Sequence, residues 1–520
     1  MRKKSPRFLI LSLFNLLVVL LTNTLHAQTP EEQEKCAAKI LENTKNPGQI
    51  ELSGIEGVWS RTAKGIYYKY LQQTADAVLN KEGEIQGYTT ADFQDARYGQ
   101  LFLLLYKVSG QQKYYKAATR IWSSYQEEKS TTKNHYTDHA LVFILKYAAL
   151  VQDKITLEET AFELLKRGKQ SSKEATAYAV ALVDAVENLP SGSAFYRSFT
   201  TELQHRAILA EQDQAARKPV VVKTENSDLL AYSLAKAVRL GCIKPAYLKT
   251  AQKAYRGKLL PALNEMLLAS LPKPGLGKTV LLDSYFNNET KKDQSGHEMS
   301  WHYKWEELAN GGFSMWGAQF NNAGFKTSTL YAAPTAENLK KASAYIIVDP
   351  DTEKETKDPK YILPEHIQSI TEWVKAGGVL VLMANDTGNV ELEHFNHLAR
   401  AFGVQFNLDS KGRVINNNYP QGEIRVAAGN QILRKARQLY IKEYSSLKLQ
   451  VPASSVLKDK DGDDVMAVSK FGKGSVFIIG DPWLYNEYVD GRKLPAAYDN
   501  FTAGADLVNW IAEQLTVRKK

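Results

Sequence analysis

The sequence predicts an all-helical domain of paired α-helices followed by an α/β domain, and three observations predict this division. Between about residues 34 and 270, apolar residues recur at three- and four-residue spacing, as in packed helices. From about residue 278, short apolar runs alternate with helical segments. The pattern changes within "LPKPGLGK", residues 271–278. We therefore place the helical domain at residues 30–272 and the α/β domain at residues 278–520.

The first residues predict an exported protein. Four basic residues, the last of them Arg7, precede the apolar run "FLILSLFNLLVVLL", and Ala27 stands at a suitable cleavage point. A run of about 14 residues is too short for a comfortable membrane span, so we expect residues 1–27 to be a secretory signal peptide and the mature protein to be periplasmic or secreted. Without these basic residues the net charge becomes +9 − 4 = +5. This mild excess gives no reason to expect a nucleic-acid or membrane partner.

Cysteine usage and three short motifs give no reason to expect a cofactor or a metal. Cys36 and Cys242 are too few for a disulfide framework, and we interpret them as two unrelated thiols. "GLGKT" resembles a phosphate loop, but Pro272 replaces the first glycine of that motif. "DKDGDD" does not match the glycine and final ligand of a calcium loop, so we expect a hairpin turn. His135 and His139 stand four apart, but spacing fixes no third ligand beside them.

The helical half consists of about nine or ten helices with short connections. "GIYYKYLQQTADAVLN", "ARYGQLFLLLYKVSG" and "SDLLAYSLAKAVRLG" are examples of segments with helical periodicity. Gly110, Pro190 and Gly241 fall where helix ends are expected. Short connections favour antiparallel helical hairpins, and a regular series of such hairpins predicts a toroid or a solenoid.

The second half alternates strands and helices. "TVLLDSYF", "AYIIVDP", "VLVLMAND" and "GSVFIIGDPW" predict strands, and "EHIQSITEWVKAGG" and "AGADLVNWIAEQL" predict helices. This alternation predicts a parallel sheet with both faces covered, with a more β-rich and loop-rich segment between about residues 405 and 470.

The stretch "NHYTDHALVFILKYAAL", residues 134–150, combines a buried helix with titratable chemistry at its start. Apolar residues recur at helical spacing from Ala140 onward, but His135, Asp138 and His139 precede them within five residues. Aspartate is common at the N-cap of helices. The alternative to a chemical role for Asp138 is therefore that it only caps this helix.

These stretches resemble the unsaturated uronyl hydrolases of glycoside hydrolase families 88 and 105, in particular the unsaturated rhamnogalacturonyl hydrolases. "TADFQDARYGQLFLLLYKVSGQQKYYKAA" and "HYTDHALVF" are similar to the early helix pair and to the helix start that holds a catalytic Asp in the family. "WVKAGGVLVLMANDTGN" and "GDPWLYNEYVDGRKLP" are similar to the α/β domain appended to long members. The resemblance implies a six-hairpin helical toroid with the sugar site at one mouth.

The α/β half suggests a flavodoxin-like sheet of the class I amidotransferase type. Such enzymes use a Cys nucleophile, but both cysteines of this chain lie in the helical half. A G-x-S-x-G nucleophile elbow is also missing from the sequence. The α/β half is therefore interpreted as a binding or packing module.

The family resemblance implies an exported hydrolase that removes the terminal 4,5-unsaturated uronic acid from lyase-generated pectin or rhamnogalacturonan oligosaccharides. Protonation of C4 and addition of water at C5 give a hemiketal that opens and releases the neighbouring sugar. One carboxyl group with a suitably tuned pKa can act as acid and then as base. The site residues that the resemblance implies are Asp138 as general acid/base, Asp95 as second carboxylate, His135 and His139 as ligands of substrate hydroxyls or of the uronate, and Tyr136 and Trp122 as stacking aromatics.

The sequence also departs from the family pattern. The helical half is shorter than the family's toroid, so we expect an incomplete ring. The family's "W-G-R-x-x-G-W" run is replaced here by "SSKEATAYAV". These departures favour an alternative, a catalytically inactive family member that binds oligosaccharide or a partner protein. A third hypothesis is a reaction in the α/β half, with Asp283, His302, Glu306 and Asp481 as candidates near strand ends.

Overall fold

The computed structural model describes residues 29–44, 46–87, 97–129, 137–168, 175–190, 192–215, 224–293 and 296–516. Asp95, His135, Tyr136 and the predicted signal peptide lie outside these described residues. Within them, a helix-rich N-terminal half precedes a mixed α/β sheet domain. No helix in these ranges is long and apolar enough to cross a membrane.

The described part of the N-terminal half contains twelve α-helices, more than the nine or ten predicted. Their bounds are α1 Pro30–Asn43, α2 Gln49–Thr62, α3 Gly65–Asp76, α4 Arg97–Ser109, α5 Gln112–Lys129, α6 Asp138–Leu150, α7 Lys154–Arg167, α8 Ala175–Val186, α9 Ala194–Ala215, α10 Thr224–Arg239, α11 Leu248–Ala254 and α12 Leu260–Ser270. The predicted helix ends at Gly110 and Gly241 are confirmed, since Gly110 directly follows α4, Gly241 lies two residues after the end of α10, and both adopt positive φ.

The helices form a closed double ring. The even-numbered helices are the inner ones: each contacts the next, from α2 through α4, α6, α8 and α10 to α12, and α12 packs back onto α2. The odd-numbered helices lie outside them and pack against inner helices. The expectation of an incomplete ring is therefore wrong.

Helix α2 closes the ring although its sequence is a weak helix former. Gly54 and Gly57 lower its helix propensity, which explains why a pattern based on apolar spacing underestimates the number of helices. Both glycines are needed for packing against α12. A Cβ atom at Gly54 would lie 3.0 Å from a ring carbon of Pro261, and one at Gly57 would lie 2.7 Å from the amide nitrogen of Asn264.

The second half contains a nine-stranded mixed sheet. The strands of the chain are β1 Thr279–Asp283, β2 Thr290–Lys292, β3 Glu298–Ser300, β4 Lys326–Leu330, β5 Ala344–Val348, β6 Val379–Met383, β7 Val404–Phe406, β8 Glu423–Val426, β9 Arg437–Tyr440, β10 Leu447–Leu449, β11 Ala453–Lys458, β12 Asp464–Phe471 and β13 Gly474–Ile479. The main sheet has the order β4-β1-β5-β6-β13-β12-β10-β7, with β11 paired to β12. The pairs β2–β3 and β8–β9 form separate two-stranded sheets.

The main sheet is parallel in its first part only. Strands β4, β1, β5, β6 and β13 pair in parallel, whereas β12, β10, β7 and β11 extend the sheet by antiparallel pairing. The predicted parallel sheet is therefore corrected to a mixed one, whose antiparallel strands lie after residue 403. The predicted turn at "DKDGDD" is confirmed, because it joins the antiparallel strands β11 and β12 with Gly462 at positive φ.

Both faces of this sheet are covered, as the apolar strand sequences predict. Along β5, Ala344, Ile346 and Val348 belong to the apolar cluster on one face, and Tyr345 and Ile347 belong to the cluster on the other. The covering helices include α13 Ser314–Asn322, α14 Ala336–Leu339, α15 Pro364–Lys375, α16 Leu392–Arg400, α17 Asn486–Val489 and α18 Asn500–Gln514.

The α/β domain packs against the C-terminal end of the inner helices. The indole nitrogen of Trp59 in α2 donates a hydrogen bond to the carbonyl oxygen of Asp490, at 2.8 Å. The guanidinium of Arg492 donates to the carbonyl oxygen of Val108 at the end of α4, at 3.2 Å. The segment after α17 therefore fixes one end of the ring against the sheet domain.

Candidate active site

The interior of the helical ring contains a polar cavity of about 270 Å³. All six inner helices contribute to its lining, and Ala318, Asn321 and Asn322 of α13 cover it from the α/β domain. Several charged side chains that line it, Arg61, Lys236 and Arg239, come from the last turns of inner helices, whereas Glu56 and Glu265 stand nearer the middle of α2 and α12. The ring thus encloses a chamber at the end that faces the sheet domain.

The residues that line the chamber recur at helical spacing within otherwise apolar helices. Ser53, Glu56 and Ser60 form a polar stripe on α2, and Tyr232, Lys236 and Arg239 form one on α10. Such inward stripes are a signal that the sequence contains but that our interpretation missed, because charged stripes are more often solvated faces. Only closure of the ring turns these stripes inward.

Three acids and two cations of the chamber form one ion-pair network. The ammonium group of Lys236 lies 2.8 Å from carboxylate oxygens of both Asp184 and Glu187. Arg239 lies 3.2 Å from Glu187 and donates two hydrogen bonds to Glu265. Burial alone would raise the pKa of Glu187, but Lys236 and Arg239 outweigh it and lower this pKa to about 2. Glu187 therefore remains ionised, and the network of ion pairs fixes the walls of the chamber.

Three further charged groups are not neutralised in this way. Glu56 forms no hydrogen bond and no ion pair with another described residue, and burial raises its pKa although Lys146 and Lys236 oppose this shift. Lys146 donates to the side-chain oxygen of Gln100 at 2.7 Å. Two guanidinium nitrogens of Arg61, Nε and Nη2, are buried without a hydrogen-bond partner. The chamber therefore contains a carboxyl group whose pKa is raised by burial, beside two cationic groups.

The cations gather here for an electrostatic reason. Arg61 and Arg239 stand in the last turns of α2 and α10, and Lys146 stands one turn before the end of α6. The C-terminal ends of helices carry partial negative charge, which stabilises cations placed there. The positions of Arg61, Arg239 and Lys146 near helix ends therefore favour the cations that line the chamber.

Described residues at the opposite end of the ring, toward the mouth where the sequence predicted the sugar site, line a smaller cavity. This cavity has a volume of about 20 Å³, which is room for a water molecule. Its lining includes His139 near the start of α6, and it shares Ser53, Asp184 and Tyr232 with the chamber. His139 thus faces the axis of the ring, as expected for a residue at the mouth.

Asp138 is held by an ion pair at the rim. One carboxylate oxygen accepts a hydrogen bond from Arg167 of α7 at 2.9 Å, and its side chain is 14% exposed. The N-cap interpretation of Asp138 is wrong, because the hydroxyl of Thr137 caps the helix by accepting from the backbone amide of Ala140. Among the described residues, those lining the chamber and the mouth do not include Asp138. Its catalytic role stays a prediction.

Trp122 packs within the helical half. Its ring stacks on that of Tyr147 at 4.9 Å between centroids and lies 5.6 Å from that of Tyr125. Its observed contacts are therefore with other aromatic side chains of the protein, and stacking on a sugar stays a prediction. The predicted partners Asp95, His135 and Tyr136 lie outside the described residues.

The candidates in the α/β half have separate surroundings. Asp283 accepts hydrogen bonds from the backbone amides of residues 285–287 and from the hydroxyl of Tyr345, so it stabilises the loop after β1. A ring nitrogen of His302 lies 3.2 Å from Glu289, and Asp481 is buried. In the described part of the chain, no group of three or more His, Cys, Asp or Glu side chains is arranged to hold a metal ion.

Comparison with known families identifies part of the second half. A family model described as a domain of unknown function, DUF4350, matches residues 321–491. This segment begins at the end of α13 and ends just beyond α17, and it spans less than half of the chain. No curated protein matches the sequence.

Several solved structures are similar to parts of the chain. The N-terminal domain of mmIFT52 is 15% identical over 47% of this chain and 99% of its own, with a TM-score of 0.33. A family 105 glycoside hydrolase from C. acetobutylicum ATCC 824 is 18% identical over 51% of this chain and 85% of its own, with a TM-score of 0.38. A family 88 glycosyl hydrolase from Bacteroides vulgatus is 11% identical over 46% and 97%, with a TM-score of 0.34. These sequence identities and TM-scores are too low to assign a function, so any functional assignment has to be based on the geometry of the site.

Proposed function

We propose that this protein is an exported hydrolase that removes a 4,5-unsaturated uronic acid from oligosaccharides left by polysaccharide lyases, and that the chamber of the helical ring holds the uronic acid. The observation that carries the proposal is the juxtaposition of Glu56, which has no ionic partner within bonding distance, with the cations Lys146 and Arg61 in one cavity.

The reaction requires three things that this arrangement can supply. A proton donor must deliver a proton to C4, and a carboxyl whose pKa is raised toward neutrality is suited to this step. The substrate carboxylate must be oriented, and Arg61 and Lys146 have the charge and the free donors to bind it. Water must reach C5, and the cavity of about 270 Å³ leaves room for water beside a sugar.

Two carboxyl groups compete for the acid role. Asp138 is proposed from the family resemblance, and Glu56 is proposed from the geometry of the chamber. We favour Glu56, because Asp138 is paired with Arg167 at 2.9 Å while Glu56 forms no such pair with a described residue. In this proposal Asp138 and Arg167 stabilise the entry of helix α6, and His139 lines the water-sized cavity.

The α/β domain closes the chamber in this proposal. Helix α13 supplies Asn321 and Asn322 to the cavity wall. The five parallel strands have the chain order 2-1-3-4-5, which is one of the common doubly wound arrangements. We retain the amidotransferase-like assignment as a proposal about ancestry, with a packing role for the domain.

The deciding experiment measures turnover of an unsaturated rhamnogalacturonan disaccharide by loss of the ultraviolet absorbance of its conjugated double bond. We expect the wild-type protein to turn the substrate over and Glu56→Gln to reduce kcat by a factor of about 100 or more, since general acid catalysis contributes this much. Asp138→Asn is measured in parallel. An equally large loss in Asp138→Asn, with Glu56→Gln unchanged, would transfer the acid role to the mouth of the ring.

Asp213→Asn is the matched control, because Asp213 is exposed on the outer helix α9. Full activity in all three variants would contradict a site inside the ring. Absence of turnover on every unsaturated uronide, together with measurable oligosaccharide binding, would instead support the catalytically inactive binding protein.

A further inference from the structure

A second cavity lies between the helical ring and the α/β domain. This interdomain cleft has a volume of about 450 Å³, within the range of small-molecule sites. Residues at the C-terminal ends of α4 and α6 form one wall, and the β2–β3 hairpin, residues 304–309 and Tyr331 form the other. The cleft exists only because the two domains are docked.

Charged side chains of both signs are open to this cleft. Lys107 from the ring and Lys292 from the hairpin are exposed, and neither forms a hydrogen bond or an ion pair with another described residue. Glu306 is also exposed and without such a partner among these residues. Two cations and one carboxylate are therefore free to meet a ligand.

The cleft also offers apolar contact area. The ring of Tyr331 is 63% exposed and Met299 is 41% exposed, and both border the cavity. Exposed aromatic faces can stack on the apolar face of a sugar ring, and they do so beside polar groups that fix the orientation of the ligand. Such a mixture of an aromatic face and charged groups is typical of a recognition site.

The combination of charges restricts the class of ligand. The carboxylate of Glu306 repels a simple anion such as phosphate. A neutral sugar, for its part, carries no charge that the two unpaired lysines could bind. A carboxylate accepts hydrogen bonds from sugar hydroxyls, while ammonium groups bind a carboxylate. A ligand that carries both hydroxyl and carboxylate groups can therefore bind the carboxylate and the ammonium groups of the cleft at the same time.

We propose that the interdomain cleft is a binding site for an acidic oligosaccharide, in which Lys107 and Lys292 bind sugar carboxylates, Glu306 accepts sugar hydroxyls and Tyr331 stacks on a ring. This site is separate from the chamber that holds the reacting sugar, and it shares with the proposed function only the acidic character of the ligand. Burial lowers the pKa of Lys107, and Lys146 of the chamber acts in the same direction while Glu56 opposes it, so Lys107 stands near both places.

The test is calorimetric titration of the full chain with trigalacturonate, which has no unsaturated uronic acid and is therefore not a substrate of the proposed reaction. We expect binding by the wild-type protein. The double variant Lys107→Ala/Lys292→Ala is expected to weaken it by about tenfold, the effect of two exposed charge contacts. Glu306→Gln and Tyr331→Ala are expected to weaken it by a factor of about three to ten each. All four side chains are exposed, so these variants are expected to fold.

The controls locate the site and define its ligand. Lys341→Ala removes an exposed lysine before β5 and is expected to leave the affinity unchanged, and Glu56→Gln, which alters the chamber, is expected to keep trigalacturonate binding. Maltotriose and inorganic sulfate are expected not to bind measurably or to compete. Undetectable trigalacturonate binding, equal competition by sulfate, or binding that is lost in Glu56→Gln but kept in the cleft variants would each overturn the proposal. Turnover of the unsaturated disaccharide in the cleft variants is measured separately and tests only the reaction.

Discussion

Gly65, the first residue of helix α3, lies directly against the carbonyl oxygen of Gly491 in the α/β domain. A Cβ atom built on Gly65 would be 2.1 Å from that oxygen, so the two backbones touch where the ring meets the sheet domain. The contact depends on the absence of a side chain at residue 65. It explains why a glycine stands at a helix position where alanine would otherwise be preferred.

Gly65→Ala is expected to lower the free energy of unfolding by about 1 to 3 kcal/mol, because the added methyl group forces the docked domains apart. Chemical denaturation measures this change. Gly192→Ala is the control, since a Cβ there meets nothing within 4 Å. An unchanged or higher stability of Gly65→Ala would show that the two domains are not held in this contact.

Arg492 is expected to be essential for the same docking. It pairs with Asp490 at 2.6 Å and donates hydrogen bonds to the carbonyl oxygen of Val108 and the side chain of Asn310. Asp490 is 1% exposed, so Arg492→Met leaves a buried carboxylate without its cation. We expect a loss on the order of 3 kcal/mol in unfolding free energy. Arg434→Met, which breaks an ion pair whose arginine is 67% exposed, is expected to cost less than about 1 kcal/mol.

Lys236 is expected to be the main stabilising cation of the chamber. Lys236→Met leaves Asp184 and Glu187 facing each other without the ammonium group that lies 2.8 Å from both. Loss of one partner of a largely buried pair predicts destabilisation on the order of 3 kcal/mol, measured by thermal or chemical unfolding. Lys166→Met removes an exposed partner 3.9 Å from Glu163 and serves as the matched control, with an expected effect below about 1 kcal/mol. Equal effects of the two variants would contradict the network.

Asp351 gives the α/β domain a defined pH dependence. Burial raises its pKa to about 8, and Glu289 and Glu355 act in the same direction. The folded protein therefore keeps a proton that the unfolded chain releases near pH 4, so the stability contribution of Asp351 falls as the pH rises from about 4 to about 8. We expect Asp351→Asn to be more stable than the wild type at pH 8 and similar to it near pH 4.

Denaturation midpoints at several pH values between 4 and 8 check this prediction. Asp358→Asn, at a side chain that is 80% exposed, is the control and is expected to follow the wild-type profile. A difference between Asp351→Asn and the wild type that is constant across this range would show that Asp351 does not titrate there.

The local elements of the fold followed from the sequence because they depend on neighbouring residues. The apolar strands around Ala344–Val348 and Val379–Met383 and the helix ends at Gly110 and Gly241 are short-range features, and the structure has them. Strand β4, Lys326–Leu330, was not predicted because its sequence "KTSTL" has few apolar residues. It lies at the edge of the sheet, where one neighbour suffices to hold it.

The sequence by itself determined the order of helices and strands, the change of architecture near residues 271–278 and the presence of charged stripes on apolar helices. Only the tertiary structure decided that the ring closes, that Glu56 and Lys146 share one chamber and that Asp138 pairs with Arg167. The physical reason is that periodicity reports which face of a helix is polar. Whether that face meets water, an ion pair or a cavity depends on helices that are distant in the chain.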